Sequence, residues 1–166
     1  MFESFFKPVP VSLPLSMGHF VAIGHVMAQW AFLESEIDTE LSWLLSRARH
    51  KRESINFRAR FSTRAAHWIR LATPVLKRAD EMRDVNRIAG RAVTIKAERD
   101  FLAHGRYVGG PDRVLLLVMR AGGITDTIDH LGTADEINDL AFRISAINKE
   151  MWELRAKLDK RYRKRP

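Results

Sequence analysis

From Ile137 to Leu158 an apolar side chain returns every third or fourth residue, through Leu140, Ile144, Ile147, Met151 and Leu154. At about 100° per residue these seven positions fall on one stripe of an α-helix. A stripe that long must be buried against other helices or against a second copy of the chain. The segment opens on Thr133-Ala134-Asp135-Glu136, a capping-box pattern in which hydroxyl and carboxylate serve each other's backbone N–H. Two further segments carry the same rhythm. Phe20, Ile23, Met27, Trp30, Ile37, Leu41 and Leu44 predict a first helix over about 17–46, and Val85, Ile88, Ala92, Ile95, Arg99 and Leu102 predict another from Asp80 to a stop at Gly105. Between them, 53–79 predicts two shorter helical stretches, with Ser62 or Thr63 as a cap and Pro74 kinking or ending the second.

After Gly105 the period changes. Residues 106–108, 113–120 and 124–130 are short β-type runs separated by Gly109-Gly110-Pro111-Asp112 and Gly122-Gly123. The expected architecture is therefore mainly α: a bundle of four to five helices with a small β-hairpin or three-stranded insertion, about 106–130, before the last long helix. A single domain over 17–160 follows, with an irregular, proline-containing arm at 1–16 and a basic tail at 161–166. At 166 residues, 46% of them hydrophobic, one packed core is the default.

The chain has no cysteine, which removes disulfides, thiolate metal sites and cysteine nucleophiles. The N-terminus lacks the basic start and unbroken apolar run of a signal peptide, and no stretch reaches the roughly 18 apolar residues of a membrane span. A cytoplasmic protein without membrane contact is expected. The net charge of +8 is concentrated in two blocks. One holds Arg58, Arg60 and Arg64 among other bases between Arg47 and Arg70, and the other runs from Arg155 to Arg165. Blocks of this kind either neutralise phosphates, with RNA the expected partner, or form a solvated basic surface with a frayed tail. No histidine pair has metal-ligand spacing and no glycine-rich phosphate loop occurs, so no metal and no cofactor are expected.

Two sites break the apolar seams. Glu34 occupies a missing step in the first: either it lies on the buried stripe and requires a cationic or hydrogen-bonding partner, or the stripe shifts to Leu33 at this turn and Glu34 sits at the core edge. Arg99 occupies a step in the later one. Arg99 and His104 lie on one helix about 140° and 7.5 Å apart, while Asp100, at i to i+4 from His104, is placed to orient the imidazole. If Arg99 instead pairs with Glu34, it is scaffold.

The string Arg99-Asp100-Phe101-Leu102-Ala103-His104-Gly105 resembles the active-site motif of the HEPN family, in which an arginine and a following polar residue precede a histidine near a helix end. The Trp30-Ala31-Phe32-Leu33-Glu34 pattern on a first helix, the bundle and the late position of the motif are similar as well. The resemblance implies a HEPN-like fold and metal-independent RNA cleavage, in a toxin or host-defence effector. Arg99, His104 and Asp100 would act in a cleft between two motif helices of a homodimer. It also implies an antitoxin or nucleotidyltransferase partner. Arg91 and Arg106 are expected to add phosphate contacts to those of Arg58, Arg60 and Arg64, with Glu34 in a supporting role. The alternatives are a non-catalytic module binding RNA or a protein through the same bundle, and a purely structural dimerisation domain.

Overall fold

The computed structural model describes residues 15–47, 55–104 and 132–162 with their side chains, and the backbone of 106–110, 113–120 and 123–128. The described part is mainly helical, with four helices: α1 (Met17–Arg47), α2 (Phe61–Val75), α3 (Ala79–His104) and α4 (Ala134–Tyr162). The backbone between α3 and α4 pairs as three antiparallel strands, β1 (Arg106–Gly110), β2 (Arg113–Arg120) and β3 (Gly123–Ile128), in that order. Gly105, the arm at 1–14 and the tail beyond Tyr162 lie outside the described residues. No described helix is long and apolar enough to cross a membrane.

All seven positions of the last seam, Ile137 to Leu158, are buried. Its capping box closes as expected: the Thr133 backbone N–H donates to Glu136 Oε2 and the Glu136 N–H donates to Thr133 Oγ1, at 2.6 and 3.3 Å. Gly132 leads into it with φ +70, the left-handed region that favours glycine, and a Cβ there would crowd the Glu136 Cβ at 2.9 Å. The α3 seam is buried at Val85, Ile88, Ala92, Ile95 and Leu102. The α1 stripe is rotated from the expected one. Its buried line is Ala22, Val26, Trp30, Leu33, Ile37, Leu41 and Leu44, so the helix turns Leu33 rather than Glu34 inward, while Phe20 is 43% exposed.

Only one helix begins between Arg47 and Ala79 among the described residues. It starts at Phe61, with Arg60 as the N-cap residue and no side-chain cap from Ser62 or Thr63, and it ends one residue after Pro74. Side-chain pairs set the helix directions. Going up α1, His25 meets Asn138, Glu40 meets Arg155 and Arg47 meets the Tyr162 carbonyl, so α1 and α4 run parallel. Glu98 meets Arg143, Arg91 meets Glu150 and Asp84 meets Lys157, so α3 runs against α4.

Two buried carboxylates reinforce this packing, and both are met by arginines of α4. Glu81, fully buried, accepts from Arg161 and from the Tyr162 hydroxyl, the latter at 2.9 Å. The C-terminal basic block is therefore partly structural: α4 continues through Arg161 and Tyr162, where a tail was expected from 161. Glu40 pairs with Arg155 at 2.8 Å, and the Arg155 guanidinium lies 4.5 Å from the Trp43 ring centroid.

Burial pushes the Glu40 carboxyl from its ordinary 4.5 up to about 7, outweighing the lowering effect of Arg155. The folded chain thus holds a proton that the unfolded chain releases between these values, so this group's contribution to stability declines as pH rises from 4.5 through 7. Between pH 5 and 8, Glu40→Gln should gain on the parent chain by roughly 2–3 kcal/mol in denaturant unfolding. Parallel stability curves for the two proteins would contradict this account.

Candidate functional site

Helix lengths create the site. α2 has 15 residues against 31, 26 and 29 for α1, α3 and α4. Its first residue, Phe61, packs on Trp30 with ring centroids 4.6 Å apart. Among the described helices, therefore, α1 has no α2 turn beside it before Trp30. Stepping back from Trp30 by three and four residues along the same face reaches Met27, Ile23 and Phe20. Met27 and Ile23 are partly buried, and Phe20 is more open still. The first half of the expected α1 seam, Phe20, Ile23 and Met27, therefore flanks the core line without a described turn of α2 over it.

Arg99 enters this place from α3. Its guanidinium lies 5.2 Å from the Trp30 centroid, within cation–π range. One of its terminal nitrogens donates to Asp100 at 3.1 Å. Its Nε is buried without a hydrogen-bond partner among the described residues. Trp30 thus carries Arg99 and Phe61 together, and the Phe61 ring in turn lies 5.9 Å from the Arg64 guanidinium.

Glu34 is satisfied by Arg64, not by Arg99. Arg64 donates to Glu34 at 2.6 Å and to both oxygens of Asp38 at 2.7 Å, and the residue is only 7% exposed. Its charge is shared between two carboxylates, and it offers no fork to a phosphate as the sequence reading expected. Arg91 is likewise engaged, with Arg87, on Glu150. Arg58 and Arg60 are exposed beside the N-terminus of α2, near the Trp30–Phe61 contact. The Arg106 side chain lies outside the described residues, although its backbone begins β1.

His104 ends α3 and is exposed, with no hydrogen bond to its ring among the described residues. The expected support from Asp100 is absent. Asp100 is bound by Lys96, at i to i+4 on the other side, and by Arg99. Burial alone would raise the Asp100 carboxyl, but these two cations outweigh it and hold it below its ordinary range. Asp100 therefore anchors Arg99 instead of orienting His104. The sequence reading missed Lys96, although the i, i+4 spacing of Lys96 and Asp100 is a helix-pair signal. It also missed the stacking of Arg99 on Trp30, for which no local pattern exists.

The site thus brings together a half-buried arginine fixed on an aromatic plane, a carboxylate that locks it, and a histidine about 7.5 Å farther along the axis. The arginine can bind an oxyanion and the histidine can carry a proton. Among the described residues no group of three histidine, aspartate or glutamate side chains is placed to hold a metal ion.

If Arg64 is structural, Arg64→Ala should lower the melting temperature by several degrees, leaving Glu34 and Asp38 without their cation. Arg64→Lys, which keeps a cation between the two carboxylates and so leaves Arg99 on Trp30, should leave affinity for RNA unchanged. A stable variant with weakened RNA binding would return Arg64 to the binding surface. The chain matches no protein-family model, no curated protein and no solved structure.

Proposed function

We propose that this chain is a HEPN-like, metal-independent endoribonuclease of the cytoplasm, a toxin or host-defence effector that cuts RNA with Arg99 and His104. The observation that carries this reading is the condition of Arg99. Glu34, the carboxylate that would have made it scaffold, is taken by Arg64. Arg99 is instead positioned on Trp30, with Nε unpartnered among the described residues. The HEPN-like fold, with the 106–130 insertion flanking the motif helix, belongs to the same reading.

The chemistry follows from the residue types. A ribose 2′-oxygen attacks the adjacent phosphorus, the bond from phosphorus to the 5′-oxygen breaks, and a cyclic phosphate forms. One His104 accepts the 2′-hydroxyl proton, and His104 of a second copy supplies a proton to the departing 5′-oxygen. Arg99 stabilises the charge that develops on the non-bridging oxygens. On one chain Arg99 and His104 diverge by about 140°, so a homodimer that opposes two motif helices supplies the missing geometry. Arg58 and Arg60 extend the phosphate path. An antitoxin or a nucleotidyltransferase is the regulatory partner this reading calls for.

A second reading, a non-catalytic module that binds RNA or a protein, is favoured by one observation: Asp100 serves Lys96 and Arg99 and leaves the imidazole without a carboxylate.

Purified protein incubated with total RNA in EDTA separates the two. Arg99→Ala and His104→Ala should each lower cleavage about 100-fold or more with folding intact, because His104 is exposed and the partner that Arg99 leaves, Asp100, keeps Lys96. Full activity in both variants would rule the mechanism out. Salt-sensitive RNA binding without cleavage, unchanged in His104→Ala, would establish the second reading.

A further inference from the structure

Arg64 and Arg99 stand in opposite balances of charge. Arg64 is one cation between two carboxylates, Glu34 and Asp38. Arg99 belongs to a group with the reverse count, in which one carboxylate, Asp100, stands between two cations, Arg99 and Lys96. Each cation takes its own oxygen. Arg99 Nη1 donates to Oδ1 at 3.1 Å, and the Lys96 ammonium donates to Oδ2. Among the described residues no other acid forms an ion pair with Lys96 or Arg99.

The division of oxygens decides what Arg99 can still bind. A guanidinium and a carboxylate left to themselves pair through two parallel N–H···O bonds, which occupy the fork. Such an arginine is well oriented but electrically spent, as Arg64 is. Lys96 on Oδ2 prevents this at Arg99. Burial acts to raise the Asp100 carboxyl, yet Lys96 and Arg99 together hold it below its ordinary range, so it is ionised and its negative charge is divided between them. The group as a whole keeps a positive surplus. Arg99 retains a single bond to Asp100, the Trp30 ring 5.2 Å from its guanidinium, and a side chain that is 22% exposed. The helix also places Lys96 well. At about 100° per residue it stands about 60° from Arg99 and about 80° from His104, inside the roughly 140° sector that those two bound. Asp100 has Lys96 one turn before it and His104 one turn after it. Without Lys96 the carboxylate is free to close on Arg99.

We propose that Lys96 is a positioning residue of this site: by holding Oδ2 of Asp100 it lets that carboxylate fix Arg99 on Trp30 without consuming the arginine's charge, so that the fork stays open to a phosphate oxygen of RNA. The inference rests on the reading of Arg99 as the phosphate-binding group, and it does not require that the RNA be cut. Lys96 acts through Asp100 and Arg99, and it needs no contact of its own with the phosphate.

The test uses the full chain and a fluorescently labelled 2′-O-methyl RNA oligonucleotide, which lacks the attacking hydroxyl and so reports binding alone. Lys96→Met removes the charge while keeping an unbranched side chain, and it should weaken binding about tenfold. Lys96→Arg should hold binding within about threefold of the parent, because a cation at i still meets Asp100 at i+4. Removing the carboxylate as well, in Lys96→Met/Asp100→Asn, should recover most of the loss, since a carboxamide oxygen still accepts from Arg99 and carries no charge. In the Arg99→Ala background no fork remains to be kept open, so adding Lys96→Met should change binding by less than about twofold. Position 96 is half-buried on the helix surface, and circular dichroism verifies that each variant is folded. The full loss persisting in the Arg99→Ala background would make Lys96 a phosphate contact in its own right and overturn the inference, as would Lys96→Met binding like the parent. A parent chain that does not bind the oligonucleotide would overturn the reading of Arg99 and this inference with it. A parent that binds but does not cut RNA, with the coupling of Lys96 to Arg99 intact, would uphold the inference while removing the cleavage.

Discussion

Arg64 spans from α2 to α1 and takes both Glu34 and Asp38, and the arrangement of the candidate site depends on that choice. The ion pair fixes the start of α2 beside the middle of α1, where Phe61 meets Trp30. Because α2 begins there, no described turn of α2 lies beside the first half of α1. Because Glu34 is occupied, Arg99 turns to the aromatic plane of Trp30 and to Asp100. One buried guanidinium thereby decides how a second guanidinium, 35 residues later in the chain, is presented. Three cation–aromatic and aromatic contacts in series connect them: Arg64 with Phe61, Phe61 with Trp30, and Trp30 with Arg99.

The same accounting of charge changes the meaning of the +8 surplus. Arg155 and Arg161 neutralise Glu40 and Glu81, Arg87 and Arg91 share Glu150, and Arg143 is held by Glu98. These pairs bind α4 to α1 and α3. Charge that looks like a nucleic-acid surface in the sequence is, at these residues, lateral packing between helices. Exposed bases without an ion pair among the described residues include Arg58, Arg60, Lys77, Arg83 and Lys160, of which Arg58 and Arg60 directly precede α2.

The long seams could be read directly. Ile137 to Leu158 and Val85 to Leu102 recur with the helical period, and burial follows that period because the helices are long enough to average out irregular positions. The capping box at Thr133 was legible because it is local, with both partners within four residues. The α1 face was not, since Phe20, Ile23 and Met27 satisfy the same rhythm as the true core line. Only the length of α2 decides which line is covered. The partner of Glu34 was also illegible: Arg64 and Arg99 are both far away in sequence, and either would have met the need. Asp100 was misread for a simpler reason. It has helical neighbours on both sides, His104 at one and Lys96 at the other, and a full cation competes better for a carboxylate than an imidazole.

The central claim, that Arg99 and His104 form an RNA-cutting pair, is tested most directly by the product. An RNA oligonucleotide and its 2′-deoxy counterpart, incubated with the protein in EDTA, should part company: the RNA is cut to fragments ending in a 2′,3′-cyclic phosphate, and the deoxy strand stays intact. Equal cleavage of both strands, or RNA fragments with no cyclic phosphate, would contradict the account.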